Sequence, residues 1–368
     1  MQFTINRETL LKPLQAVTAV IERRQTLPIL ANIFLNLKAK ELSLLGTDME
    51  VELSGRITLE KVGKEGKTTA PARKLMDICR SLPEGSDLKF QQKDDKLILQ
   101  CGRSRFNLAT LPATDFPISE GTNESLEHLS FMLSQKHLRS LIEATNFAMA
   151  QQDVRYYLNG MLWELGQGSL RAVATDGHRL ALSIKEAGIK GDNQIIVPRK
   201  AIHELSRLLN DDEGDLTVLF SSNQLRVNMQ DYTFTSKLIE GKFPDYDRVI
   251  PQSGDKVLTV DRDLLKSSLA RVGVLSNDKH RSVCLEMKSN ALRIFANNLD
   301  QEDAEDYLDV LYSGEEITIA FNINYLMDVL NSLPAGSVKI TLTSTDASVR
   351  LEAVEESSSI YVIMPMRL

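Results

Sequence analysis

Cysteine is scarce in this chain: Cys79, Cys101 and Cys284 are the three in 368 residues, odd in number and far apart. Such spacing offers no disulfide framework and no metal or redox pattern, and fits reduced thiols in a core. Long apolar runs are missing too. None approaches the roughly 18 residues of a membrane span, and the opening Met1-Gln2-Phe3-Thr4-Ile5-Asn6-Arg7 has no signal-peptide core. A cytoplasmic chain with no membrane partner is expected. The chain has no Gly-rich nucleotide loop ending in Lys and Ser or Thr, so it should neither bind nor hydrolyse ATP. Positive charge is not in excess either. The formal net charge of −7 ordinarily argues against a nucleic-acid partner, because phosphates need a positive face.

What is present is repetition. Three stretches of about 120 residues follow one pattern, and a period that long marks successive domains, not a short solenoid. An amphipathic opening helix begins at Arg7, returns at Gln135 and again at Asp261, each with its apolar residues on one side. About 35 residues later comes an apolar strand ending in a turn: Thr47-Asp48, Thr175-Asp176 and Asn297-Asn298. A second helix starts at Pro71, Pro198 and Asn322, each a suitable entry residue, and short alternating strands follow it. Each copy therefore reads helix, strands, helix, strands. With 42% hydrophobic residues the chain can bury several cores, so three α+β domains are expected. The polar stretches 121–125 and 251–255 have linker composition, which sets the domains at 1–124, 125–253 and 254–368.

Candidate chemistry centres on Thr175-Asp176-Gly177-His178-Arg179, where an acid stands beside an imidazole. No nucleophile is tied to it: Ser183 lacks the Gly-x-Ser-x-Gly setting that would expose a hydroxyl. A turn with a packed histidine is the plainer reading, and an enzyme acting at Asp176 and His178 is the alternative. The acidic run Asp300-Gln301-Glu302-Asp303-Ala304-Glu305-Asp306 lacks the rhythm of a calcium loop. It suits a solvated face or a charged contact with a basic partner surface, such as Lys74, Arg103 and Arg105 would offer. No metal and no cofactor are expected. Basic residues gather on the helices: Arg7 and Lys12; Arg73, Lys74 and Arg80; Lys136 and Arg139; Arg199, Lys200 and Arg207; Arg262, Lys266 and Arg271. They are either solvated faces or one locally positive surface.

Several segments together carry a resemblance over the whole chain. Gln152-Asp153-Val154-Arg155-Tyr156-Tyr157-Leu158-Asn159-Gly160, Ala174-Thr175-Asp176-Gly177-His178-Arg179-Leu180, Phe234-Thr235-Ser236-Lys237-Leu238, Phe243-Pro244-Asp245-Tyr246 and Met364-Pro365-Met366-Arg367-Leu368 resemble the signatures of the bacterial DNA polymerase III β subunits, the sliding clamps. The resemblance implies three similar clamp domains, and two chains joined head to tail in a homodimeric ring with helices lining the bore and sheets outside. It implies a non-catalytic processivity factor that encircles double-stranded DNA without reading its sequence. Partners would be the DNA polymerase III α subunit, the δ subunit of an ATP-driven clamp loader, and other polymerases and repair proteins. Each would dock a short extended peptide, of the type Gln-Leu-x-Leu-Phe, in a pocket between the second and third domains.

Carried over residue by residue, the resemblance assigns DNA contact to Arg24, Arg73, Gln152, Arg155, Tyr156, Tyr157 and Lys200. It assigns the peptide pocket to Leu158, Thr175, Gly177, His178, Arg179, Leu180, Pro244, Arg248, Val249, Asn322, Tyr325, Ser348, Val362, Met364, Pro365, Met366 and Arg367. For the dimer interface it implies Phe106 and Leu108 on one side and Val274 and Leu275 on the other. Lys74, Arg103 and Arg105 would then face Glu302, Asp303, Glu305 and Asp306. Two departures bear on partner preference: His280 stands where well-known members carry Phe, and Asp346 where they carry an apolar residue.

Overall fold

The computed structural model describes every residue except 25, 119–128, 190, 212–213, 278, 356–357 and 368. Its six α-helices are α1 (Arg7–Val20), α2 (Ala72–Ser81), α3 (Gln135–Thr145), α4 (Arg199–Leu208), α5 (Arg262–Val272) and α6 (Ile323–Ser332). All begin within a residue or so of the expected positions. The repeat starts one element earlier than expected, however: the strands Gln2–Asn6, Leu129–Ser134 and Lys256–Asp261 precede α1, α3 and α5. No turn separates strand from helix to betray the strand. The last strand residue is itself the helix cap: the Asn6 side chain accepts the Glu8 N–H at 3.0 Å, and Asp261 Oδ1 accepts those of Asp263 and Leu264 at 2.9 Å.

The chain divides into two compact units, Met1–Lys136 with His203–Leu238, and His137–Ile202 with Ile239–Leu368. Three repeats become two units because strands pair across the repeat junctions. In the first unit, Tyr232–Lys237 of the second repeat pairs antiparallel with Val51–Thr58 of the first, completing an eight-stranded sheet. In the second unit, Ser359–Ile363 of the third repeat pairs with Arg179–Ile189 of the second, within a nine-stranded sheet. A five-stranded sheet ends the first unit at Ser104–Ala109, and a four-stranded sheet ends the second at Asp303–Asp309. The helices bury one stripe each: Leu10, Leu14 and Val17 in α1, and Leu326, Val329 and Leu330 in α6, at the three- and four-residue spacing that keeps a single face.

The expected linker at 121–125, and with it the boundary between 124 and 125, lies outside the described residues. Cys79 and Cys101 are buried and Cys284 is half-buried, all as free thiols. Burial pushes the Cys79 thiol up to about 12, which makes it an inert core residue. Among the described residues, no helix is long and apolar enough to cross a membrane, and no cluster of His, Cys, Asp or Glu is arranged to hold a metal ion.

Candidate functional site

The Thr-Asp-Gly-His-Arg segment is a turn built by its own side chains. Asp176 Oδ1 accepts the N–H groups of His178 and Arg179 at 2.9 and 3.0 Å. The Thr175 hydroxyl accepts from the Gly177 N–H at 3.1 Å and donates to the Arg179 carbonyl at 2.6 Å. The acid thus serves the backbone and is not poised as a base. The first unit repeats the device: Asp48 Oδ1 accepts from Glu50 and Val51 at 2.9 and 2.7 Å, and Thr47 bonds Met49 and Val51 in the same way. A catalytic dyad would have no reason to recur in that form. Ser183 is buried and its hydroxyl accepts from that of Ser359 at 2.9 Å. Gly177 sits at φ +89°, where an added Cβ would lie 3.1 Å from both Nη atoms of Arg155, so glycine both permits the turn and leaves room for the guanidinium.

That turn forms one wall of a cavity of about 160 Å³ in the second unit. Leu158, Thr175, Gly177, His178, Arg179, Leu180, Pro244, Val249, Ser348, Val362 and Met364, all expected there, line it together. Arg155, Asp245 and Tyr246 line it as well, although the sequence reading gave Arg155 to DNA and gave the other two no role. The floor is apolar, because Leu158, Leu180, Tyr246 and Val362 belong to one buried cluster. Met364 is 41% exposed and adds an accessible apolar side chain to the lining.

Other expected pocket residues stand behind or beside the cavity. Tyr325 lies beneath Arg179, with the guanidinium carbon 4.5 Å from its ring centre, and the Asn322 side chain caps α6 through the Asn324 N–H at 2.9 Å. The Met366 N–H donates to the Ala320 carbonyl at 2.7 Å, and Arg248 pairs with Asp245 at 2.7 Å on the surface. Pro365 is half-buried, and Arg367, His280 and Asp346 are exposed and do not line the cavity.

Arg179 holds the site together. Its side chain is 12% exposed, donates to Asp176 Oδ2 at 3.1 Å and to the Phe147 carbonyl at 2.7 Å, and pairs with Asp328 of α6. Arg155 is the exposed counterpart, paired with Asp153 at 2.8 Å. Its hydrogen bonds hold the Asp153 carboxyl at about 2, below the usual carboxylate range. A carboxylate depressed in this way contributes stability that is present above the unfolded value near 4 and is lost as pH falls toward 2. A carboxyl NMR titration should give Asp153 a midpoint near 2, and Arg155→Ala, which removes the side-chain donors but keeps the residue 155 N–H on Asp153 Oδ1, should raise it only part of the way to the usual value.

The segments expected at the dimer interface are sheet edges. Ser104–Ala109 ends the five-stranded sheet, with Arg103 and Arg105 exposed, Phe106 half-buried and Leu108 buried. Asp303–Asp309 ends the four-stranded one, and Val274, in the short turn Gly273–Leu275 packed against it, is 78% exposed, with Leu275 half-buried. Each edge presents unpaired backbone groups. Part of the acidic run is already engaged within the chain. Asp306 accepts from Arg271 at 2.5 Å and Glu305 from Arg293 at 2.7 Å, whereas Glu302 takes the Asn298 amide at 2.7 Å and Asp303 is exposed.

The basic helix residues also divide. Arg7 at the start of α1 donates to the carbonyls of Cys79 and Arg80 at the end of α2, and Arg262 at the start of α5 donates to that of Leu333 just past α6. These cations complete the negative ends of neighbouring helices. Arg199 donates to the Met149 carbonyl, and Arg73 to that of Ile21. Lys12, Lys74 and Arg80 are exposed, as are Arg24 and Gln152; Lys200 is half-buried. Tyr156 is 58% exposed and meets the half-buried Tyr157 edge to face, with ring centres 5.8 Å apart.

Residues 1–120, 132–245 and 247–367 match the models of the N-terminal, central and C-terminal domains of the DNA polymerase III beta subunit. The chain is 50% identical over 370 residues to the beta sliding clamp of Pseudomonas putida, with all of both chains covered. It is 48% identical over 369 residues to that of Escherichia coli strain K12, again covering both. Among solved structures, the sliding clamp (DNA polymerase III subunit beta) of Pseudomonas aeruginosa bound to griselimycin matches with a TM-score of 0.97 and 49% identity, covering all of both chains. The chain, carrying this cavity and these sheet edges, belongs to the DNA polymerase III beta subunit family of sliding clamps.

Proposed function

We propose that the protein acts in the cytoplasm as a DNA sliding clamp: a non-catalytic processivity factor that encircles duplex DNA and tethers the replicative polymerase. The observation that carries this reading is the apolar cavity walled by the turn 175–179 and Met364, in a chain matched to sliding clamps from end to end. Its natural occupants are extended peptides of the DNA polymerase III α subunit, the loader δ subunit and other polymerases and repair proteins. Methionine suits a site shared by several partners, because its flexible thioether adapts to varied apolar shapes. The family models at 1–120, 132–245 and 247–367 support three clamp domains bounded near 124 and 253.

The six helices among the described residues give twelve in a two-chain ring. Spaced at roughly 9 Å they make a circle about 35 Å across at the axes, wide enough for a duplex with water around it. Contact with DNA falls to Arg24, Arg73, Gln152, Tyr156, Tyr157 and Lys200, and to Arg155 where its pairing with Asp153 allows. Such contacts are with phosphate and sugar, so they exchange as the ring moves. The overall charge of −7 keeps the outside soluble, and Arg7 and Arg262, each paired with an acid of its own helix, Glu8 and Asp263, add little to the attraction in the bore.

Ring closure rests on edge pairing between Ser104–Ala109 of one protomer and Asp303–Asp309 of the other, with Phe106, Leu108, Val274 and Leu275 as apolar anchors. Glu302 and Asp303 are the acids best placed to meet Arg103 and Arg105. Arg105→Glu should weaken the dimer about tenfold in sedimentation equilibrium at low salt, and the difference should shrink as sodium chloride rises to about 0.5 M. Unchanged association at low salt would remove this pairing from the interface.

A further inference from the structure

A second cavity, about 530 Å³ and polar, is lined in part by Glu164, Arg171 and Gln194, none of which belongs to the peptide cavity. Tyr246 links the two cavities by bonding from one to a lining residue of the other. The Tyr246 ring lines the peptide cavity, while its hydroxyl donates to the Glu164 carboxylate. Tyr246 opens the short 3-10 turn Tyr246–Val249, whose first residue and Val249 line the peptide cavity, and the turn has no side-chain cap of its own. The buried ring and its hydroxyl, which Arg171 also hydrogen-bonds, fix it from inside, and the Arg248–Asp245 pair spans it on the surface.

Glu164 is well placed to hold it. It sits on the strand Gly160–Gly166, directly opposite Arg171 on one neighbouring strand and Gln194 on the other. The Gln194 amide donates to Glu164 Oε1 at 2.7 Å, and Arg171 Nη1 lies 3.7 Å from Oε2. Three side chains in one row across three strands thus present a carboxylate oxygen to the tyrosine. Burial, and then the bond to Glu164, raise the Tyr246 hydroxyl's titration, so it stays a donor at neutral pH.

We propose that Glu164, held by Arg171 and Gln194, is a positioning residue for the peptide cavity: it acts through the Tyr246 hydroxyl and touches no peptide itself. The inference rests on the reading of that cavity as a peptide site. The test is fluorescence anisotropy with a labelled Gln-Leu-x-Leu-Phe peptide, with thermal unfolding of each variant alongside. Saturable binding to the parent protein tests the reading itself, and its absence would remove reading and inference together.

Given parental binding, Tyr246→Phe and Glu164→Leu should each weaken the peptide about tenfold, while Glu164→Gln, which keeps an acceptor oxygen, should stay within about twofold. The double variant Tyr246→Phe with Glu164→Leu should be no weaker than Tyr246→Phe alone, because that variant already removes the bond to Glu164 together with the one to Arg171. A residue that merely stabilised the fold would not show that rescue and that lack of additivity. Parental affinity in Tyr246→Phe, or full additivity in the double variant, would overturn the proposal. If Glu164→Leu fails to fold, Tyr246→Phe, which keeps the ring, decides alone.

Discussion

Arg179→Met will lower the stability of the second unit by about 2–3 kcal/mol and strip the protein of peptide binding. Methionine fills much of the space between the Phe147 and Tyr325 rings, which stand 5.2 and 4.5 Å from the guanidinium carbon, so packing is largely kept. The charges are not. Asp176 Oδ2 and the Phe147 carbonyl lose their donor, and Asp328 loses its cation. Breaking a buried pair costs about 3–5 kcal/mol, but the Asp328 side chain is 38% exposed and regains water, which brings this case to the bottom of that range or just below it. For a unit of this size the melting temperature should fall by about 5–10 °C. Peptide binding goes with it, because the Arg179 side chain lines the cavity and braces Asp176, the acid that builds the turn forming one wall. A melting temperature and affinity equal to the parent's would show that the network is incidental.

Removing residues 364–368 should cut peptide affinity at least about 100-fold while the protein stays folded. Met364 lines the cavity, and its N–H donates to the His178 carbonyl at 2.9 Å, so its loss opens the wall and frees the histidine side of the turn. Met366 is tied to Ala320 by a backbone bridge that goes at the same time. Folding should survive because the strand Ser359–Ile363 keeps its pairing with Arg179–Ile189 up to the Arg179–Ile363 pair. Anisotropy with the same peptide and far-UV circular dichroism separate the two effects. Undiminished binding by the truncated chain would move the peptide site elsewhere.

The repeat was legible because helix periodicity and turn chemistry are local. Leu10, Leu14 and Val17 mark α1, and Thr47-Asp48 and Thr175-Asp176 fold into matching turns for the same local reason. The strands before α1, α3 and α5 were not legible, since each ends on the residue that caps or opens the helix. Long-range geometry was also out of reach. Nothing in spacing says that Arg7 and Arg262 end on helix carbonyls, or that strand pairing fuses three repeats into two units. Arg155 and Tyr246 sat inside quoted motifs, yet their places on the cavity depend on a turn at Gly177 and a partner at Glu164 that are distant in sequence. The acidic run reads as a solvated face or a contact with a basic partner, whereas Arg271 and Arg293 of the same chain engage two of its five acids.

The central claim is that topology, not affinity, holds this protein on DNA. It is tested most directly by loading the protein onto nicked circular DNA with an ATP-driven loader, removing free protein by gel filtration, and then cutting the circle with a restriction enzyme. Retention on the intact circle should survive added salt that abolishes binding to linear DNA, since screening weakens phosphate contacts but cannot open a closed ring. Cutting should release the protein. Protein that stays on the cut DNA, or that was never retained on the circle better than on linear DNA, would contradict the account.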